Sequence, residues 1–304
     1  MCIQNTRREV VMKDLKGVCV ALCTPFDESG EKLDGAALRT HIDSMLEEGV
    51  HIILVCGGTG EFAYLRPEER KTIAEIAAKH IDGRAAFVVQ TSAINTVDAI
   101  EFSKHAEGVG ADALLILPPY FEGPNADGVY YHYEKISEAI NTPIMVYNIP
   151  ESSGFDITPA LFKRLIEIDN VRYIKDSMND LVRIQELLAV AGDRAGVFNG
   201  GDGITFFSLV AGCPGCVWGA TNAMPKESVE LYDLVVSGKL VEAVALWKRM
   251  FPANLFFVTH VYNAAVKAAT NLSGRKVGPC RKPVLPLTGS EMAELKEALR
   301  PLGI

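Results

Sequence analysis

The chain has 304 residues, 48% of them hydrophobic and 22% charged, with a net charge of −8. Such a composition supplies a large core, in one big α/β barrel or in two ordinary domains. The acidic balance argues against nucleic acid and anionic membranes as partners, since both require a basic face, and no apolar run approaches the roughly 20 residues of a membrane span.

The opening stretch, MCIQNTRREVVMKDLKG, carries charges where a secretion signal needs its apolar segment, so a cytoplasmic protein is expected, with residues 1–16 as an N-terminal extension. Strand-like runs then alternate with helical patterns. GVCVALCTP (17–25) comes first, and Asp34 caps the amphipathic GAALRTHIDSMLEEG. HIILVCGG (51–58) is followed by Pro67, which opens EERKTIAEIAAKHI, with Gly83 beyond its end. AAFVVQTS (85–92), ADALLILPP (111–119) and TPIMVYNIP (142–150) continue the series. Thr158 and Pro159 begin PALFKRLIEI, and VRYIKDS (171–177), AGVFNGG (195–201) and GCVWGAT (215–221) complete it.

These runs are nearly continuous Val, Ile, Leu and Phe rather than alternating, as in parallel strands covered on both faces. Consecutive runs lie about 20 to 35 residues apart, the length of a βαβ unit. Eight units predict a (β/α)8 TIM barrel over 17–224. The competitor is a doubly wound open sheet, which usually has fewer strands, and no G-x-G-x-x-G follows the first run. Beyond residue 224 the strand pattern stops. ESVELYDLVVSGKLVEAVALWKRMF, NLFFVTHVYNAAVKAATNL and SEMAELKEAL predict three further helices, so 225–304 is expected to be a helical region packed on the barrel.

Seven cysteines, an odd number, suit reduced thiols. Cys213 and Cys216 form one C-P-G-C, which leads into an apolar run instead of opening a helix and has no second pair to complete a zinc site. Two small buried residues at a turn are expected there. The six histidines show no ligand spacing, and no metal site is assigned.

In such barrels chemistry collects at the carboxyl ends of the strands. Among the residues there, Lys175 is the one nitrogen nucleophile. Burying an amine disfavours its charged form and moves its pKa from about 10.4 towards neutrality, and a neutral amine attacks a ketone to form an imine. The alternative is a lysine that snorkels outward or pairs with Asp176. Tyr147 ends the neighbouring strand, where a phenol can relay protons or simply be a rim aromatic. In GGTGE (57–61), successive amides and the Thr59 hydroxyl can hold a carboxylate, or the glycines only turn the chain from strand to helix.

GGTGE, YNIP and IKD, on strands two, five and six in that order, resemble the dihydrodipicolinate synthase and N-acetylneuraminate lyase family, and the likeness runs from GVCVALCTPF to KPVLPLTG. The resemblance implies a (β/α)8 barrel with C-terminal helices, usually a homotetramer built from tight dimers, and a Schiff base between Lys175 and pyruvate or another 2-oxo acid. It implies that Tyr147 is the proton-relay phenol and that Gly58 and Thr59 border the carboxylate pocket. Gly201 and Asp202 would lie on the rim, with Tyr120 and Ser152 also facing substrate. No metal or organic cofactor is needed. Asp176 would orient the loop after strand six or Lys175.

Two departures bear on the substrate. Members that condense pyruvate with aspartate semialdehyde commonly carry an arginine two residues after the proline of YN-x-P, where this chain has Ser152. They also use the second tyrosine of TPYY, where PPYF places Phe121. Losing an arginine that clamps a carboxylate forfeits about 1.5–3 kcal/mol, roughly ten-fold to more than a hundred-fold in discrimination. The expected function is therefore a lyase acting on a 2-oxo acid through a Lys175 imine, by reversible aldol cleavage or by dehydration of a 3-deoxy-2-oxo sugar acid. The alternatives are the 4-hydroxy-tetrahydrodipicolinate synthase reaction and, in another class, a non-catalytic 2-oxo-acid sensor.

Overall fold

The computed structural model describes residues 14–304; the expected N-terminal extension, 1–16, thus lies outside the described residues but for its last three. Eight parallel strands close into a barrel in sequence order: β1 (Gly17–Ala21), β2 (Ile52–Val55), β3 (Ala86–Gln90), β4 (Ala113–Ile116), β5 (Ile144–Asn148), β6 (Val171–Asp176), β7 (Gly196–Asn199) and β8 (Gly215–Trp218), with β8 pairing back onto β1. Each coincides with one of the runs read from the sequence and is shorter, because the terminal residues of each run leave the ladder to form loops.

The strands are buried on both faces, which explains their continuous apolar character. Cys19, Ala21, Ile52, Leu54, Val88, Leu115, Met145 and Phe198 fill the barrel interior. Their neighbours Val20, Ile53, Val55, Val89, Leu114, Val146 and Ile174 pack outward. The surrounding helices that complete that outer core are α1 (Gly35–Glu47), α2 (Pro67–Ile81), α3 (Thr96–Gly108), α4 (Ala126–Ala139), the short α5 (Pro150–Ser153), α6 (Pro159–Leu165), α7 (Leu181–Ala191) and α8 (Thr205–Val210). Several begin on side-chain caps: Asp34 accepts from the Ala36 and Ala37 amides, and Thr158 accepts from Leu161. Asn222 ties the barrel shut beside β8, accepting from the Cys23 amide at 2.9 Å and donating to the Ala21 carbonyl at 2.8 Å.

The C-terminal region departs from the expected three helices and contains four: α9 (Pro225–Val236), α10 (Leu240–Thr259), α11 (Tyr262–Leu272) and α12 (Gly289–Leu299). The first break falls at Gly238, which takes a left-handed φ of 74° that suits glycine. The second falls at His260–Val261, because α10 runs straight through Pro252. The sequence patterns place that break between Phe251 and Asn254 instead. Trp218 of β8 packs with Trp247, Phe256 and Phe257 of α10 in one cluster, joining the helices to the barrel. Cys213 and Cys216 are buried free thiols, the bland outcome expected for C-P-G-C. No helix among the described residues is long and apolar enough to cross a membrane.

Candidate active site

The carboxyl ends of the strands open onto a cavity of about 450 Å3 that brings together Gly58, Thr59, Tyr147, Ser152, Lys175, Gly201 and Asp202. A wider hollow of about 580 Å3 lies at the amino ends of the strands, among Asp14, Lys16, His51 and Arg84, away from all of these groups.

Register places the central pair. Tyr147 of β5 stands directly opposite Lys175 of β6, and the Lys175 Nζ lies 4.0 Å from the centroid of the Tyr147 ring. Lys175 is only 6% exposed, so it does not snorkel into water. Nor is it paired with Asp176. That carboxylate turns away to accept from Asn148 Nδ2 at 2.8 Å and Arg183 Nε at 2.8 Å, and among the described residues no carboxylate forms an ion pair with Lys175. Asp176 thus fixes the end of β6 without neutralising the amine beside it. Gly200 leaves room for the lysine stem: a Cβ there would stand 2.4 Å from Lys175 Cε and 2.3 Å from Ser177 Oγ.

The loop after β2 supplies Gly58 and Thr59. Neither amide has an acceptor among the described residues, which leaves two N–H donors and a hydroxyl at the cavity wall. The turn is pinned from below by Glu61, a non-glycine residue in the left-handed region at φ 60°. Its buried carboxylate pairs with Lys267 Nζ at 2.7 Å and accepts from the Arg281 amide at 2.8 Å.

Asp202, 3% exposed, follows β7. Burial is the largest cause raising its carboxyl from 3.8 to about 7, against the lowering effects of the Tyr262 hydroxyl and Lys175. Ser152 and Glu151 of α5 edge the cavity, whereas Ser153 is occupied in holding the turn through the Ile149 and Phe155 carbonyls. Tyr120 is the exception among the expected substrate-facing residues. It does not line the cavity but packs edge-on to Phe62, with ring centroids 6.2 Å apart. Its neighbour Phe121 is 78% exposed at φ 66°.

Glu151, Ser177 and Asn179 line the cavity without having been expected there, and so do two residues on α11. Tyr262 reaches Asp202, and Asn263 Nδ2 donates to the Gly58 carbonyl at 3.0 Å. The only hint was their place in a helix following the last strand, where no strand-end rule applies.

Comparison with known proteins finds relatives that match nearly the whole chain. The 4-hydroxy-tetrahydrodipicolinate synthase of Clostridium perfringens is 34% identical over 95% of this chain and 99% of its own length. That of Methanothrix thermoacetophila is 32% identical over 93% and 96%. A crystal structure of the chloride-inhibited dihydrodipicolinate synthase from Acinetobacter baumannii in complex with pyruvate superposes with a TM-score of 0.92 at 28% identity, covering 96% of this chain and all of that one. A prophage protein of the same family from E. coli K12, also in complex with pyruvate, gives 0.90 at 28%, covering 95% and 98%. Residues 14–302 match the dihydrodipicolinate synthetase family, and the chain belongs to it, among Schiff-base-forming lyases of the class I aldolase type.

Proposed function

We propose that Lys175 is the imine-forming residue of this lyase and that pyruvate or a longer 2-oxo acid is its substrate. The observation that carries the reading is a buried primary amine without an ion-pair partner among the described residues, held over the Tyr147 ring in a cavity edged by two free amides. The substrate carboxylate docks on Gly58 and Thr59, Lys175 attacks C2, and Tyr147 helps expel water from the carbinolamine. The cationic imine then serves as electron sink for breaking C3–C4 or losing a C3 proton. Gly201, Asp202 and Ser152 face the remainder of the substrate.

Borohydride reduction in the presence of pyruvate tests this. A stable adduct on the peptide carrying Lys175, absent from Lys175→Ala, is the expected result. Tight pyruvate binding without any adduct would mean a sensor and would overturn the enzyme reading.

The cavity wall favours an acceptor without a second carboxylate. Among the described residues its acids are Glu151 and Asp202, its one cation is Lys175, and a dianionic substrate would find no guanidinium. Aldol cleavage or dehydration of a 3-deoxy-2-oxo sugar acid fits best. The names of the curated relatives favour a second reading, condensation of pyruvate with aspartate semialdehyde. Efficient turnover of that pair would establish it. A cytoplasmic homotetramer completes the proposal, supported by the resemblance and by an exposed apolar stripe on α10 (Val241, Val244, Phe251, Leu255, Val258). Sedimentation as a monomer would refute that part.

A further inference from the structure

The mechanism above uses one phenol and leaves another at the same cavity without a task. Tyr262 opens α11, and its hydroxyl donates to both carboxylate oxygens of Asp202, at 2.9 and 3.1 Å. Both residues line the cavity that holds Lys175. In the barrel, β6 with Lys175 stands between β5, which carries Tyr147, and β7, which leads into Asp202. A Cβ on Gly219 would sit 2.2 Å from the Tyr262 hydroxyl and 2.9 Å from Thr59 Oγ1, so the phenol and the carboxylate-docking hydroxyl converge on the same spot.

A purely structural role explains this poorly. A carboxylate taken out of water is costly even when hydrogen-bonded, and an apolar pair of similar size would fill the space at less cost. Burial also holds the Tyr262 phenol well above its ordinary value and the Asp202 carboxyl up to about 7, which keeps the bridging proton on the phenol and makes the carboxylate a usable base near neutrality.

We infer that Tyr262 and Asp202 form a second acid–base pair, which handles the proton on the C4 oxygen of the substrate, while Tyr147 serves the carbinolamine. The inference rests on the Lys175 imine. In cleavage, the C4 hydroxyl passes its proton to the Tyr262 oxygen as Tyr262 passes its own to the Asp202 carboxylate. The electron pair of C3–C4 becomes the C2=C3 double bond of the enamine and the iminium nitrogen is neutralised. C4 departs as an aldehyde, and the proton remains on Asp202. Condensation is the reverse.

The test separates imine chemistry from carbon–carbon chemistry in the intact protein. Borohydride trapping and deuterium exchange of the pyruvate methyl group report the Lys175 imine and its enamine. Condensation of pyruvate with glycolaldehyde, glyceraldehyde and erythrose reports the C4 step. Tyr262→Phe is expected to keep trapping and exchange within about twofold of the unaltered protein and to lose roughly 10²- to 10⁴-fold in condensation. Asp202→Asn retains an acceptor for the phenol but not a base, so it is expected to give the same split and serves if the first variant folds poorly. Exchange and condensation falling in equal proportion in both variants, or condensation untouched in both, would overturn the pair. So would the absence of condensation with all three aldehydes in the unaltered protein. No borohydride adduct in the unaltered protein would instead remove the imine reading, and this pair with it.

Discussion

Two charge networks, each centred on a buried carboxylate, flank the cavity, and they are built differently. At the end of β6, Asp176 is held by Asn148 and Arg183, and Arg183 continues to Asp156 at 2.7 Å. All four residues come from two successive βα units. Under the β2 loop, Glu61 is held by Lys267 and by the Arg281 amide, and Lys267 donates on to the Pro279 carbonyl at 2.8 Å while lying 4.4 Å from the Phe26 ring centroid. This second network joins the second strand loop to the C-terminal helices, more than 200 residues away. Both fix the backbone of a site residue and neither touches the cavity. The first is a local brace for Lys175; the second anchors the turn that carries Gly58 and Thr59 to a distant part of the chain.

The largest effect is expected at the distant anchor. Lys267→Met leaves the fully buried Glu61 carboxylate without its cation and should cost about 3–5 kcal/mol in urea unfolding. Replacing both partners, Glu61→Met with Lys267→Met, should recover most of that, whereas no recovery would mean that the pair matters for geometry more than for charge. Such a double variant should still bind pyruvate more weakly, because the left-handed turn at Glu61 loses its fixings.

Asp202, in the cavity wall itself, should respond to pH with the opposite sign from a salt-bridged carboxylate. Its pKa is raised in the fold, chiefly by burial, so the folded protein binds that proton more tightly than the unfolded chain does. Stability from this group is therefore whole below about pH 4 and is lost as pH rises through about 7. Asp202→Asn should accordingly stabilise the protein at pH 8, by up to about 4 kcal/mol, and leave it unchanged near pH 4. Equal melting shifts at the two pH values would contradict this.

Arg183→Met should cost less than the Lys267 change, about 1.5–3 kcal/mol, because Asp176 retains Asn148 and the Met178 amide at 3.1 Å. A loss as large as that at Lys267 would erase the distinction between brace and anchor. The smallest effect belongs to Asn263→Ala, which removes one hydrogen bond to the Gly58 carbonyl, about 0.5–1.5 kcal/mol, and should appear as a several-fold rise in the KM for pyruvate with little change in kcat.

The same contrast explains what could be read from the sequence. Eight strands, the caps at Asp34 and Thr158, and the pairing of Tyr147 with Lys175 follow from local pattern plus the rule that successive barrel strands adjoin. Asp176 was visible because it sits beside the lysine. Tyr262, Asn263 and Lys267 were not, since on sequence they are polar positions of one more amphipathic helix, and only the packing of α11 against the barrel mouth turns three of them inward. Tyr120 shows the reciprocal limit: it follows β4, but the sequence does not show that its ring packs against Phe62 and stays out of the cavity wall. The break between α10 and α11 was misplaced because Pro252 is tolerated within a long helix whose stability comes from Trp247, Phe256 and Phe257 packing on β8.

That α11 walls the pocket has an evolutionary consequence. The strands hold Lys175 and Tyr147, whereas a separate segment, encoded well downstream, contributes Tyr262 and Asn263 to the same cavity wall. On the function proposed above, exchanging or drifting that segment alone changes the substrate range and leaves Lys175 and Tyr147 in place. Chimaeras that graft α10 to α12 from a relative onto this barrel are the natural material in which to look for such a transfer.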